Sequence, residues 1–193
     1  MAEKPRPPIL ILGIAGSPRK QGNSAFLLQE TLRRLQDSFQ TETVFLRDLD
    51  IRPCEACHYC ESHGSCRIDD DIPALSTKLK AADAIILATP SHMGGVTSRM
   101  QALMERTWPL RKGQMAGKLG ACIVTGRRQI GTELGVLDAY LARLRMLKAP
   151  GILGYAFEAG KIVEDREAMG QTGRLAADIR RYLLPVRPKQ GEA

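Results

Sequence analysis

Four of the five cysteines in this chain fall into one short segment, PCEACHYCESHGSC, which covers residues 53–66. They are Cys54, Cys57, Cys60 and Cys66. Thiolates at i, i+3 and i+6 can surround one corner of a compact inorganic cluster, and a fourth after a short loop can complete its ligation. Bacterial iron–sulfur proteins have similar two-residue gaps, but their last gap is three residues and a proline follows. Here the last gap is five residues and Arg67 follows, so the match to this pattern is partial; the close run of two-residue gaps still favours an iron–sulfur cluster.

Three other chemistries remain open for these cysteines. Structural zinc usually takes two Cys-x-x-Cys pairs that are about 12–20 residues apart, and the second pair is missing, although His58 and His63 could supply nitrogen ligands. Disulfides require an oxidising compartment, of which the sequence gives no sign. A redox-active thiol pair is the last alternative, because a Cys-x-x-Cys spacing can lower a thiol pKa.

A second segment whose residues could bind a ligand is GSPRKQGNS, residues 16–24. It links an apolar run to an amphipathic one. It lacks the glycine spacing of dinucleotide folds and the Gly-Lys-Ser/Thr ending of nucleoside-triphosphate loops. It does supply the hydroxyls of Ser17 and Ser24 and the N-terminus of a helix, where backbone N–H groups and the helix dipole can hold a phosphate. The segment therefore predicts a mononucleotide phosphate site; the alternative is a capped turn with Asn23 or Ser24 as N-cap.

Composition limits the class of protein. With 193 residues, 44% of them hydrophobic and 25% charged, the chain is long enough for one globular domain with a real core. The net charge of +7 suits an anionic cofactor or an acidic partner, but the basic residues are scattered and aromatic residues are few, so no nucleic-acid partner is expected. The basic pairs 127–128 and 180–181 are typical of solvated faces. Apolar runs are too short to span a membrane, so we expect a cytoplasmic protein.

The elements that must position these segments alternate along the chain. Periodicity predicts buried strands at residues 9–14, 43–46, 84–88, 119–125 and 152–155. It predicts helices at residues 24–39, 71–81, 97–107, 131–147 and 166–184, the second of them capped by the acidic run Asp69–Asp71. Five strands that alternate with five helices indicate an α/β fold with helices on both faces of a parallel sheet.

This pattern predicts one doubly wound domain over residues 9–184, with the cysteine loop at 53–71 after the second strand. The proline-rich and charged ends, residues 1–8 and 185–193, are expected to be disordered. Ligands in such sheets bind at the carboxyl ends of the strands, where the strand order reverses.

Four segments together resemble the NADPH-dependent FMN reductase-like branch of the flavodoxin fold, and within it the iron–sulfur flavoproteins. They are the 16–24 loop, the four cysteines followed by Asp69-Asp70, the segment Thr89–Gly94, and Gly126 with the run Gly131–Glu133. The four segments follow one another in the order that the family has, and with the strands that flank them the resemblance covers about residues 9–155. The resemblance implies a flavodoxin-like five-stranded parallel sheet with strand order 2-1-3-4-5.

The resemblance also implies cofactors and the residues that hold them. FMN phosphate would lie in the 16–24 loop and the flavin ring against the later loops, which assigns cofactor binding to Ser17, Arg19, Gly22, Asn23, Ser24, Pro90, Ser91, His92, Met93, Gly94 and Gly126. A [4Fe–4S] cluster would be held by Cys54, Cys57, Cys60 and Cys66. The sequence departs from the family at His92 and Met93, where an aromatic pair is frequent, and at Ile130, where glycine is common. The contacts to the flavin ring and the substrate preference are therefore expected to differ from those that are usual in the family.

These implications predict an FMN-dependent oxidoreductase that carries electrons through a cluster and FMN, with no catalytic acid, base or triad required. Expected partners are a ferredoxin-like or nicotinamide electron donor and a small acceptor, in a homodimer or homotetramer, with NAD(P)H as one possible reductant. One alternative is an NAD(P)H-dependent FMN or quinone reductase without a cluster. The other is a non-catalytic flavodoxin-like module that senses redox state through zinc or thiols.

Overall fold

The computed structural model describes residues 8–184 of the chain. Its strands are β1 (Leu10–Ala15), β2 (Gln40–Phe45), β3 (Ala84–Pro90), β4 (Leu119–Gly126), β5 (Leu147–Lys148) and β6 (Ile152–Tyr155). Its helices are α1 (Asn23–Arg33), α2 (Tyr59–His63), α3 (Ile72–Ala81), α4 (Ser98–Arg106), α5 (Thr132–Arg143) and α6 (Arg166–Leu183). The ends that are predicted to be disordered fall outside the described residues, apart from Pro8.

The strands form one parallel sheet in the order β2-β1-β3-β4, and the fifth position beside β4 is shared by β5 and β6. The predicted doubly wound sheet with order 2-1-3-4-5 is therefore confirmed, and the predicted fifth strand is β6. The addition of β5 arises because α5 ends at Arg143 rather than at residue 147. Arg145 then adopts a positive φ of 58°, which reverses the chain direction. The two residues of β5 that follow are extended and pair with β4.

The central strands send alternate side chains into two separate cores. On one face, Ile11 and Ile86 pack with helices α1 and α6. On the other face, Leu12 and Ile85 pack with helices α3, α4 and α5. This period of two is the geometry of a strand, and burial on both faces explains why the strands appear as continuous apolar runs in the sequence.

Several predicted boundaries shift. The first helix ends at Arg33 rather than 39, because Leu35 and Ser38 make tighter bonds to the carbonyls three residues earlier. Strand β2 begins at Gln40 rather than at residue 43, because the polar residues before 43 also pair in register with β1 at the sheet edge. The cysteine loop contains one short helix, α2, that the sequence did not predict.

Because the strands are parallel, the loops after β1, β2, β3, β4 and β6 all leave the same edge of the sheet. The predicted phosphate loop follows β1 and the cysteine segment follows β2. Among residues 8–184, no helix combines the length and the apolar character that crossing a bilayer requires.

Candidate functional site

The loop after β1 ends at an open helix N-terminus. Helix α1 starts at Asn23 with Gly22 at the N-cap, and no side chain caps it. The first N–H groups of a helix have no partner within the helix, so they remain available to an anion. A Cβ atom on Gly22 would lie 2.3 Å from Ser17 Oγ, which itself accepts a hydrogen bond from the Arg19 N–H at 3.1 Å. This loop is folded so closely that only glycine fits at position 22.

A cavity of about 360 Å³ opens over this loop and gathers most of the predicted FMN residues. The predicted residues that line it are Ser17, Arg19, Gly22, Asn23, Pro90, Ser91, His92 and Gly126. They come from the loops after β1, β3 and β4, which are far apart in sequence. The cavity therefore has the position and the lining that the resemblance implies for a mononucleotide.

Three other predicted residues do not line this cavity. Ser24 is fully buried, and within residues 8–184 its hydroxyl has no hydrogen-bond partner. Met93 and Gly94 form the exposed tip of a tight turn, in which His92 and Gly95 exchange two backbone hydrogen bonds. Both tip residues have positive φ, 53° for Met93 and 75° for Gly94. The tip therefore projects from the rim of the cavity.

The loop after β4 is packed against the loop after β3. A Cβ on Gly126 would approach Ile130 Cγ2 to 2.4 Å and Ser91 Cβ to 3.2 Å, so Ile130 covers the glycine that lines the cavity. Glu133, at the start of α5, is completely buried. It accepts a hydrogen bond from the Ser91 hydroxyl and another from the Gly131 N–H at 3.0 Å. Burial alone would raise the pKa of Glu133, but these hydrogen bonds outweigh it and hold the pKa below its usual value.

Sequence reasoning missed six residues that line this cavity: Pro18, Thr125, Arg127, Ala156, Phe157 and Ala159. The last three of them belong to the loop after β6. Arg127 was expected only on a solvated face; it is exposed, but its guanidinium also lies 4.9 Å from the centre of the Phe157 ring. The sheet topology could have indicated the residues after β6, since the loop that follows β6 also leaves the carboxyl edge of the sheet.

Asn23 connects this unpredicted loop to the phosphate loop. Its side-chain amide donates to the Glu158 carbonyl at 2.9 Å, and its oxygen accepts the Gly160 N–H at 3.0 Å. Both polar atoms of the side chain are thus used within the protein. The backbone N–H of Asn23 can donate a hydrogen bond to a phosphate. Its side chain fixes the loop after β6, which forms one wall of the cavity.

A second cavity, of about 320 Å³, lies in the cysteine segment. Its lining residues are Cys54, Ala56, His58, Cys60, Glu61, Cys66, Glu105, Arg106 and Trp108. Three of the four cysteines therefore face one space, whereas Cys57 does not line it. Cys57 is exposed and lies between Ala56 and His58, which both have positive φ, 49° and 57°.

The cysteine segment is held in place by the C-terminal end of α4 and the 3₁₀ turn that follows it. Glu105 accepts the N–H of Cys54 at 3.4 Å. Arg106, which is only 2% exposed, donates to Cys66 Sγ at 3.3 Å and makes two bonds to Asp70, at 2.6 and 3.0 Å. The segment is thereby attached at its beginning and at its end.

Glu61 provides a further attachment in the middle of the segment. Its carboxylate accepts from the Trp108 indole at 2.6 Å and from Arg111 at 2.8 and 3.0 Å, and Arg111 also lies 4.2 Å from the Trp108 ring centre. These contacts hold α2, which carries Cys60, against the 3₁₀ turn 108–112. Burial raises the pKa of the Cys60 thiol, and the neighbouring Glu61 charge adds to this.

The four thiols match the donor set of a [4Fe–4S] cluster, but the segment is not closed around one. Among the described residues, no group of three or more His, Cys, Asp or Glu side chains has the arrangement of a metal site. The cysteine segment contacts helix α4 and the 3₁₀ turn 108–112. Cys57 is the one cysteine of the four that does not line the second cavity.

Comparison with known proteins places these features in a family. Residues 9–160 match the profile of the NADPH-dependent FMN reductase family. An iron–sulfur flavoprotein of Archaeoglobus fulgidus is 33% identical over 178 residues, which covers 86% of this chain and 78% of that protein. An iron–sulfur flavoprotein of Methanocaldococcus jannaschii is 38% identical over 125 residues, 64% of this chain. That match covers 65% of the relative, slightly less than two thirds of its length.

A solved structure shares the fold. A flavodoxin from the domain Archaea superposes with a TM-score of 0.61 at 13% identity, and the match covers 90% of this chain and 97% of the flavodoxin. At this identity the similarity concerns the fold alone.

Proposed function

The chain belongs to the NADPH-dependent FMN reductase family, and within it to the iron–sulfur flavoproteins, and we propose that it is an FMN-dependent oxidoreductase with a [4Fe–4S] cluster. Electrons would come from a ferredoxin-like or nicotinamide donor and leave to a small acceptor such as oxygen, peroxide or a quinone. When bound, FMN can exchange electrons singly or in pairs and a cluster passes them one at a time, so together they would connect one-electron donors to two-electron acceptors.

The observation that carries this proposal is the position of α4 between the two cavities. The hydroxyl of its N-cap Thr97 donates at 2.8 Å to the carbonyl of Gly16, the first residue of the phosphate loop. The segment that precedes α4 lines the first cavity. Its last residue, Arg106, lines the cysteine cavity. From Ser98 to Arg106 the helix rises roughly 12 Å. One rigid element would thus fix the spacing between FMN and cluster.

The first cavity suits FMN in its residues. The uncapped α1 terminus would provide N–H donors for a phosphate, and the close turn at Gly22 leaves this terminus open to the cavity. Pro90, His92 and Gly126 would border the flavin ring. The protein's work is to hold and orient the ring and to limit its contact with water, since the redox chemistry belongs to the cofactor.

The second cavity suits a cluster in its chemistry. Cys54, Cys60 and Cys66, which line this cavity, would provide three ligands, and Cys57 the fourth, once the segment closes around the cluster. The contacts of Glu105, Arg106 and Glu61 would keep the segment attached to α4 and the turn after it while it closes.

The deciding experiment counts iron, sulfide, zinc and FMN per chain in protein purified without oxygen. We expect about four irons and four sulfides with one FMN. Cys57→Ser should lose iron and keep FMN, whereas Cys122→Ala, at a buried cysteine outside the segment, should keep both. Wild-type iron content in Cys57→Ser would contradict the assignment of this ligand.

The same measurement separates the alternatives. FMN without iron, even after reconstitution, would favour a cluster-free NAD(P)H-dependent reductase, and rapid bleaching of FMN by NADPH without ferredoxin would support it. Zinc without flavin would contradict both enzymes and leave the sensing module.

A further inference from the structure

The buried ion pair between Arg106 and Asp70 includes a cysteine sulfur. All solvent is excluded from both side chains, and the guanidinium divides its donors among three partners. Nη1 and Nη2 bond to the Asp70 carboxylate, Nη1 also bonds to the Arg52 carbonyl at 2.7 Å, and Nε donates to Cys66 Sγ at 3.3 Å. One arginine thus ties a helix end, a backbone carbonyl, a carboxylate and a thiol together.

Stability alone does not explain an ion pair at this place. Desolvating two charges is costly, and apolar side chains of similar volume often serve a core as well or better. What arginine adds is a planar set of donors in fixed directions. The bonds of Nη1 and Nη2 to the carboxylate fix the orientation of the guanidinium plane. In that orientation the Nε–H points at the Cys66 sulfur. The position of the Nε–H relative to Cys66 is therefore determined by Asp70.

Asp70 is itself fixed by the backbone on both sides of the cysteine segment. Its Oδ2 accepts the N–H of Arg52, just before the segment, and its Oδ1 accepts the N–H of Ile72, just after it, both at 3.1 Å. The carboxylate therefore closes the base of the loop.

We propose that Arg106 is a positioning residue for the cluster: its Nε–H fixes the Cys66 sulfur and stabilises the more negative, reduced state of the iron–sulfur group, with Asp70 orienting the guanidinium. This inference rests on the proposed function. Hydrogen bonds to ligand sulfurs are among the levers that set the potential of such clusters. Outer partners of ligands also affect metal retention, by about 10- to 100-fold when they are mutated.

The test compares two lysine variants that keep the charge. Arg106→Lys retains a cation opposite Asp70 but cannot make both carboxylate bonds and the sulfur bond at once. Arg111→Lys is the control, because Arg111 holds the same segment through Glu61. After anaerobic reconstitution, each protein is measured for iron and FMN per chain, iron loss to a chelator, the potential and electron paramagnetic resonance spectrum of the cluster, and unfolding midpoint.

We expect Arg106→Lys to release iron about 10-fold faster than the wild type, with a more negative cluster potential and unchanged FMN content. Arg111→Lys should keep the wild-type potential. A wild-type potential and iron-loss rate in Arg106→Lys would overturn the positioning role while leaving the proposed function intact. An equal shift in both variants would also overturn it, since general tethering of the loop would then be responsible.

Two further outcomes are decisive. If Arg106→Lys does not fold, Asp70→Asn takes its place, because an amide cannot accept both guanidinium bonds and the Nε–H should leave the sulfur. A wild-type potential and iron-loss rate in that variant would overturn the inference. A wild-type protein that binds FMN but no iron after reconstitution would overturn the inference together with the cluster itself.

Discussion

The hydroxyl of Ser91 donates a hydrogen bond to the buried carboxylate of Glu133, and this pair joins two loops that border the first cavity. Ser91 belongs to the loop after β3, while Glu133 accepts the Gly131 N–H of the loop after β4. The carboxylate also lies in the first turn of α5, where the helix dipole favours a negative charge. The two loops therefore hold each other in position before any ligand arrives.

Replacing Glu133 with Gln should loosen both loops. The amide keeps the size of the side chain but has one oxygen where the carboxylate has two, so one of the two donors loses its acceptor. Leaving a buried donor unpaired costs about 1–3 kcal/mol, and we expect the free energy of unfolding to fall by that amount. If ordering the two loops on binding costs about 1.4 kcal/mol of free energy, FMN affinity should fall about tenfold. Denaturant unfolding and flavin fluorescence titration measure the two effects.

Glu164→Gln is the matched control for this variant. Glu164 pairs with Lys161 at the surface, and such exposed pairs contribute about 0–1 kcal/mol. Its replacement should leave FMN affinity unchanged. An FMN dissociation constant in Glu133→Gln equal to the wild-type value would show that the two loops do not depend on this carboxylate.

The same carboxylate makes stability depend on pH in a defined direction. Its folded pKa lies below the ordinary value, whereas an unfolded glutamate titrates near about 4.3. The stabilisation is therefore complete above that unfolded value and is lost as pH falls through the lower, folded pKa. The difference in unfolding free energy between wild type and Glu133→Gln should be constant near neutral pH and shrink below about pH 4. A difference that stays constant through the acid range would contradict this.

Gly22→Ala should damage the phosphate loop more than a glycine substitution elsewhere. The new Cβ would lie 2.3 Å from Ser17 Oγ and 3.2 Å from the Arg19 carbonyl, so the loop must shift away from the α1 terminus. We expect FMN affinity to drop by about tenfold or more, equivalent to at least some 1.4 kcal/mol. Isothermal titration with FMN measures this loss.

Two further variants test the cause of that loss. In the Ser17→Ala background the hydroxyl that causes the closest contact is absent, so Gly22→Ala should cost less FMN affinity there than in the wild type. Gly135→Ala, in α5, meets no atom within 4 Å and should be neutral or slightly stabilising for the helix. If Gly22→Ala costs the same affinity in both backgrounds, the clash with the Ser17 hydroxyl is not the cause.

The sheet could be predicted because its signals are local. Ile85 and Ile86 belong to one apolar run whose alternate residues enter different cores, and such runs separated by amphipathic helices specify a parallel sheet. The position of Ser17 and Gly22 beside the first cavity was predictable for the same reason, since they lie in the loop after the first strand.

Other parts depend on contacts between distant residues. Arg106 is one more basic residue in a predicted helix, and nothing in its neighbourhood indicates that it bonds to Asp70 and Cys66, which lie 36 and 40 residues away. The acidic run Asp69–Asp71 was expected to cap α3, but the sequence does not say which carboxylate does so. Asp70 accepts the first helical N–H, whereas Asp71 accepts the Asp50 N–H. Adjacent carboxylates have equal capping propensity, so tertiary partners decide between them.

Asn23→Ala should release the loop after β6 from the phosphate loop. The side chain makes one bond to the Glu158 carbonyl and one to the Gly160 N–H, each contributing about 0.5–1.5 kcal/mol. We expect faster amide hydrogen exchange at Gly160 and faster FMN dissociation, because Phe157 and Ala159 form a wall of the cavity. Hydrogen exchange by mass spectrometry and stopped-flow fluorescence report the two changes. Gln21→Ala, at an exposed neighbouring position, should change neither; unchanged exchange in Asn23→Ala would contradict the proposed link.

Cys122 should behave differently from the other four cysteines. It lies in β4 with 1% of its surface exposed, as expected for a core residue, and burial strongly raises the pKa of its thiol. The thiolate is the reactive form, so Cys122 should resist alkylation in the folded protein. The cysteines of the 53–66 segment are exposed or half-buried, and among them Cys60 should react slowly because burial raises its pKa as well.

Iodoacetamide labelling of folded, metal-free protein, followed by peptide mass spectrometry, tests this order. Label should appear at Cys54, Cys57, Cys60 and Cys66 and reach Cys122 only after denaturant is added. Cys122→Ala should give the same label count as the wild type when folded and one fewer when unfolded. Labelling of Cys122 at the rate of Cys57 in the folded protein would mean that β4 opens readily to solvent, which its position between β3 and the β5–β6 edge does not allow.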